Sequence, residues 1–178
     1  MQYLILNVVD NTEVVSLFRT VFADAEGESE GQVIGQLVSE MLGTTAADDI
    51  VTCVAIQDDT IVAATLLTRL KMTNQQQGFI LSPMAVATSM QGQGVGQQLI
   101  RFAIEQLKTQ GADVLLTYGD PNFYGKVGFE PISEQVIAAP FPLSHPHGWI
   151  GQSLNGQAIA ALAEPVQCVA ALNQPQYW

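Results

Sequence analysis

The sequence predicts an α/β fold built on one mixed sheet, and three observations carry that expectation. An apolar run over residues 79–86 leads through a short polar stretch into a glycine-dense turn, Gln91-Gly-Gln-Gly-Val-Gly96, that opens a helical pattern over residues 95–110. A second apolar run, Val114-Leu-Leu116, follows that helix, and its unbroken hydrophobicity suits a strand covered on both faces. Strand, turn, helix and strand in this order make a right-handed βαβ unit with two parallel strands.

The other elements follow in order along the chain. Residues 2–8 read as a strand, and residues 12–23 as a helix with Val15, Phe18, Val21 and Phe22 on its inner side and Asn11 as its cap. After an acidic linker, residues 28–41 continue helically through Val33, Leu37, Val38 and Met41 to Gly43. Residues 49–57 and 60–70 form a hairpin around Asp58-Asp59, and the strand at 78–87 begins after the polar turn Asn74-Gln-Gln-Gln77. The helix from Val95 buries Val95, Leu99, Phe102, Ala103 and Leu107 and stops at Gly111. After the strand at 113–118, Asp120 suits an N-cap, Pro121 the first helical position and Gly128 the left-handed residue closing a short helix at 121–127; Phe129 starts another strand. The proline-rich stretch 139–149 breaks regular structure before a final strand near 166–172.

Proline is usually excluded from a central strand, yet Pro83 stands inside the apolar run. A ladder that breaks there leaves the N–H and C=O groups of Met84, Ala85 and Val86 without strand partners, open to a ligand carrying amides of its own. A bulge or an edge strand is the alternative.

Two glycine templates fail at the turn. A dinucleotide fingerprint starting at Gly92 and Gly94 needs a third glycine at Gln97 and an acidic residue about 20 positions on, and a phosphate loop needs Lys-Ser/Thr after its last glycine, where Gln97 and Gln98 stand. A plain strand-to-helix connection accounts for the glycines as well. The amides of a helix's first turn have no intrahelical partner and sit at the positive end of its dipole, so this turn suits a phosphate without basic side chains.

Gln91-x-x-Gly94-x-Gly96, between a strand and a helix, resembles the pyrophosphate motif of the Gcn5-related N-acetyltransferase (GNAT) superfamily, and Tyr124-x-x-x-Gly128-Phe129 resembles the segment that sets a tyrosine beside the coenzyme sulfur. The likeness spans residues 2 to about 137, its specific motifs lying in 81–129. The Pro-Phe-Pro element at 140–142 resembles the YhbS-like branch. The resemblance implies the acyl-CoA N-acyltransferase fold, β-αα-βββ-α-β-α-β with a splayed parallel pair. It implies acetyl-CoA as co-substrate, bound through Met84, Ala85, Val86, Gln91, Gly92, Gln93, Gly94, Val95, Gly96 and Asn122, and Tyr124 as the catalytic proton donor. Tyr124 also reads as a core aromatic, and Asn122 as helix-start chemistry. The family's usual acidic base has no counterpart, since residues 78–87 contain no Glu or Asp. A carboxylate, a loop histidine or a water chain could remove the ammonium proton, His145 and His147 being the two histidines of the chain.

Composition frames these motifs. The chain of 178 residues, 48% hydrophobic and 13% charged, suits a single domain over 1–178, with a motif-bearing core at 78–137 and an irregular extension at 138–178. Six Lys plus Arg against 17 Asp plus Glu give a formal charge of -11, which argues against sequence-independent nucleic-acid binding. No apolar run reaches membrane-spanning length and no signal-peptide pattern opens the chain, so a cytoplasmic protein without a membrane partner is expected. Cys53 and Cys168 read as free buried thiols, and no metal is expected. The expected activity is direct acetyl transfer from acetyl-CoA to the primary amine of a small molecule or protein; a non-catalytic acyl-CoA sensor is the alternative, and a homodimer is compatible with either.

Overall fold

The computed structural model describes residues 1–7 and 11–178; Val8, the end of the expected first strand, lies outside the described residues. The elements are β1 (Gln2–Ile5), α1 (Thr12–Glu26), α2 (Glu28–Thr44), β2 (Ile50–Gln57), β3 (Thr60–Leu70), β4 (Gly78–Val86), α3 (Val95–Thr109), β5 (Val114–Tyr118), α4 (Pro121–Tyr124), β6 (Glu130–Pro131) and β7 (Trp149–Ser153). The strands form one mixed sheet in the order β1-β2-β3-β4-β5-β7-β6. The chain clusters into two compact units, Met1–Leu67 with Pro83–Phe102 and Thr68–Ser82 with Ala103–Trp178.

In the first unit, α1 and α2 form a helical hairpin joined through Gly27 alone, in place of the expected acidic linker. Val14, Phe18 and Val21 of α1 are buried, and so are Ile34, Leu37, Val38 and Met41 of α2. The buried stripe of α1 runs through Val14 rather than the expected Val15, and Val33 is 37% exposed rather than inside. The apolar run Val14-Val15 permits either phase, and packing selects one. Gly31 and Gly35 let α2 approach α1 closely, since a Cβ at Gly31 would lie 2.5 Å from the Arg19 carbonyl oxygen and 2.7 Å from the Ala23 Cβ. Asn11 occupies the N-cap position of α1 without a side-chain cap bond; its carbonyl accepts from the Val15 N–H at 3.0 Å. β2 and β3 turn through Asp58 (φ 51°) and Asp59 (φ 59°), two left-handed residues as a tight hairpin requires.

In the second unit, β4 and β5 pair in parallel from Gly78↔Val114 to Leu81↔Thr117. Val114, Leu115 and Leu116 are fully buried, as their unbroken apolar run predicts. β7 lies between β5 and β6 and pairs antiparallel with both, Tyr118 opposite Trp149 and Pro131 opposite Ile150. The irregular extension expected at 138–178 therefore contains a sheet strand. Trp149-Ile-Gly-Gln-Ser153 shows no alternation, and its central glycine is demanded by packing: a Cβ at Gly151 would meet the Leu116 and Ile132 side chains at 2.5 and 2.6 Å. The strand expected near 166–172 is absent. Gln167 makes a single antiparallel bridge with Lys71, and the N–H groups of Leu172 and Asn173 turn back to the Val169 carbonyl. Val166, Ala171 and Leu172 are buried from coil, so the apolar pattern there reports burial without a ladder.

The short helix is bounded as expected. The Asp120 carboxylate accepts the Asn122 N–H at 2.9 Å, a 3-10 turn over Gly125–Val127 continues α4, and Gly128 (φ 95°) closes it. Cys53 and Cys168 are free thiols, Cys53 fully buried and Cys168 partly so, and burial pushes both up to about 12. Among the described residues no helix is long and apolar enough to cross a membrane.

Replacing Gly31 by Ala forces α2 away from a backbone oxygen that cannot yield. The expected cost is roughly 1–3 kcal/mol, read as a lower urea midpoint with an unchanged slope.

Candidate functional site

The structure distributes the candidate residues over the two units: Met84, Ala85, Val86 and residues 91–96 in the first, Asn122 and Tyr124 in the second. In the first, β4 ends at Val86 and the Ala87 N–H donates to the Val62 carbonyl at 2.8 Å. Ala85 is buried, whereas Met84 and Val86 are half-buried. The following turn is braced from its own sequence: the Gln91 side-chain amide donates to the Val86 carbonyl and that of Gln93 to the Ser89 carbonyl, both at 3.0 Å.

Gly92 (φ 72°) and Gly94 (φ 80°) adopt the left-handed region. The space above them is open, with nothing within 4 Å of a Cβ at Gly92 and only the Gln98 Nε2 at 4.0 Å from one at Gly94. The Gln98 N–H donates to the Gly94 carbonyl at 3.1 Å, and the amides of Val95, Gly96 and Gln97 precede that bond at the helix start, where α-helix geometry supplies no acceptor. No Lys or Arg occurs between residues 81 and 100, so any anion bound here is held by amide dipoles. Gln98 accepts the Tyr3 hydroxyl at 2.9 Å, which ties β1 to this helix start.

In the second unit, Tyr124 sits in an aromatic cage, edge-on to Phe123 at 5.1 Å and to Phe129 at 5.4 Å. Gly119 makes room for it: a Cβ there would strike the Tyr124 ring at 2.6 Å. Part of the residue reaches solvent, but the hydroxyl end is desolvated, and burial pushes the phenol up to about 12 against the opposing pull of a hydrogen bond with Thr117. Tyr124 is therefore a neutral hydrogen-bond donor throughout the neutral range. Asn122 is exposed and bonded to the capping residue, its side-chain amide donating to the Asp120 Oδ1 at 3.0 Å.

The sequence reading does not single out Thr117. Its buried hydroxyl donates to the Leu81 carbonyl at 2.8 Å, across the last paired position of the β4–β5 ladder. The one signal available is a lone hydroxyl residue directly after the apolar run Val114-Leu-Leu116. Gly119 is likewise unassigned in sequence, where a glycine after a strand reads as an ordinary turn.

Residues 48–131 match the family model described as an acetyltransferase (GNAT) domain. The uncharacterized N-acetyltransferase YjhQ of Escherichia coli strain K12 is 37% identical over 92 residues, 50% of this chain and 50% of that protein. The chain thus matches about half the length of this curated relative. Among solved structures, the GNAT family N-acetyltransferase YhbS from Escherichia coli in complex with CoA superposes with a TM-score of 0.78 at 19% identity, covering 97% of this chain and 92% of that one. A GNAT family acetyltransferase from Brucella melitensis in complex with acetyl-CoA gives 0.68 at 18% identity, covering 96% and 98%.

Thr117→Val removes the hydroxyl that donates to the buried Leu81 carbonyl, at an expected cost of about 1–3 kcal/mol that Thr117→Ser largely restores. In an ultraviolet titration, the Tyr124 component, identified by its loss in Tyr124→Phe, is expected near 12, and Thr117→Val is expected to move it higher. The folded state holds this proton more tightly than the unfolded one. The corresponding stability is therefore intact below pH 10 and lost as pH rises toward 12.

Proposed function

We propose that this chain, whose residues 48–131 match the GNAT acetyltransferase domain, transfers the acetyl group of acetyl-CoA to a primary amine by direct attack of that amine. The observation that carries the proposal is the Gln91–Gly96 turn, which offers two left-handed glycines, open space above them and the unpaired first amides of α3 in a stretch without basic side chains. A diphosphate fits such a cradle. The bound forms of the YhbS and Brucella melitensis proteins support the same reading.

The co-substrate supplies an activated thioester. This chain's part is to bind, align and donate. The turn amides hold the diphosphate, with Gln91 and Gln93 bracing the loop. β4 carries on to Val86 beyond its last pairing with β5, and the backbone of Met84 to Val86 is offered to the amide-bearing arm and to the oxygen that gains negative charge. Asn122 binds beside that arm. Tyr124 donates a hydrogen bond to the sulfur as it leaves; at a pKa of about 12 the phenol is too weak an acid to lose its proton fully, so its contribution is electrostatic. The acceptor is a small-molecule or protein amine, and the protein acts in the cytoplasm.

Two variants test this by calorimetry with CoA and by thiol release over an amine panel. Gly94→Val places a β-branched residue at a positive φ on an open turn, so CoA affinity should fall at least tenfold, with the backbone strain lowering the melting temperature but leaving the protein folded. Tyr124→Phe should keep CoA affinity and lose roughly 10²-fold or more in turnover. Undiminished CoA binding by Gly94→Val removes the basis of the proposal.

A further inference from the structure

The second unit contains a cavity of about 600 Å³ that the residues assigned above, Asn122 apart, do not explain. Tyr118, Asp120, Asn122, His145 and His147 line it. Its wall is built with care. The His145 backbone N–H donates to the Tyr118 hydroxyl at 2.6 Å, the Gly119 N–H to the Gly148 carbonyl at 3.0 Å, and the Ser144 hydroxyl to the Trp178 carbonyl at 2.7 Å. The Tyr118 ring stacks on Trp178 at 6.2 Å and 15°, and buried Trp178 in turn meets buried Trp149 edge-on at 5.9 Å. A proline-rich loop is thereby fixed as a ledge with two exposed imidazoles on it, their rings 5.9 Å apart. Among the described residues neither imidazole nitrogen is engaged in a hydrogen bond.

The lining selects for positive charge. It contains one carboxylate, one phenol and two imidazoles, and no Lys or Arg. Both bonds to Asp120 fall on Oδ1, at 2.9 and 3.0 Å, which leaves Oδ2 with acceptor capacity. Among the described residues no group of three or more potential metal ligands is gathered, so the histidine pair does not read as part of a metal site.

We propose that this cavity receives the ammonium end of the acceptor and that the His145–His147 pair takes the proton the amine must lose. The inference rests on the acetyl-transfer reading and supplies the base which that reading lacks. One N–H bond of the ammonium breaks, its electron pair stays on nitrogen as the nucleophile, and a new N–H bond forms on an imidazole. The exposed imidazolium then returns the proton to solvent. The titratable groups that line the cavity with the pair are the Asp120 carboxyl and the Tyr118 phenol.

The test uses the full chain labelled with ¹³C-histidine, whose two imidazole resonances are assigned with His145→Gln and His147→Gln. Spermidine, kanamycin, benzylamine and lysine methyl ester are first screened for acetyl-CoA-dependent thiol release. An amine that turns over should shift at least one imidazole resonance when added to the CoA-bound protein. The double variant His145→Gln/His147→Gln should lower kcat/KM at least 10²-fold without changing CoA affinity, and Asp120→Asn, which keeps a competent cap, should raise the amine KM about tenfold. An amine that turns over while both resonances stay still, or a double variant with wild-type kcat/KM, overturns the inference and leaves acetyl transfer standing. CoA alone shifting both resonances as far as the amine does assigns the cavity to the coenzyme and overturns it as well. Tight CoA binding with no turnover of any amine overturns the acetyl-transfer reading, and this inference with it.

Discussion

The parallel ladder between β4 and β5 stops at Leu81↔Thr117, and that stop is the constraint on which the rest of the molecule depends. Up to it, Phe79, Ile80 and Leu81 lie against Leu115, Leu116 and Thr117 in a dry interior where every backbone group must find a partner. At it, the Thr117 hydroxyl takes the Leu81 carbonyl and keeps a buried acceptor satisfied where the ladder gives out. Past it, Pro83 has no N–H to contribute, and β4 continues to Val86 without β5. A sheet interior that ends in this way presents main chain to a ligand and needs no additional loop to do so.

The charge balance explains why the candidate anion site takes the form it does. In a chain of net charge -11, a basic patch strong enough to hold a diphosphate would be opposed by the surrounding field, and two of its six cations are paired elsewhere, Arg19 with Glu28 at 2.8 Å and Lys108 with Glu105 at 2.8 Å. Amide dipoles at a helix start are fixed, short-ranged and indifferent to net charge. Gly92 and Gly94 matter because they let those amides converge without side chains in the way.

What the sequence made legible had strong local causes. The left-handed pair Asp58-Asp59, the Asp120-Pro121 helix start, Gly128 and the unbroken run Val114-Leu-Leu116 are each where local chemistry puts them. The elements misjudged are those decided at a distance. β7 holds its place because Gly151 fits between Leu116 and Ile132, a fact no window of five residues contains. Val14 rather than Val15 is buried, while α2 approaches α1 on the other face, at Arg19 and Ala23, and Val166, Ala171 and Leu172 are buried without a strand, the ladder there being reduced to the Gln167–Lys71 bridge. The candidate site divides in the same way: its glycines and Tyr124 are written in motifs, whereas Thr117, Gly119 and the ledge holding His145 and His147 are visible only once β5 and β7 lie side by side.

The two cysteines have a practical corollary. Burial raises both sulfhydryls well above the free thiol range and so depletes the thiolate, the form that attacks disulfide reagents. Chromogenic detection of freed coenzyme in real time is therefore expected to run against a low protein background, which the protein without coenzyme measures directly.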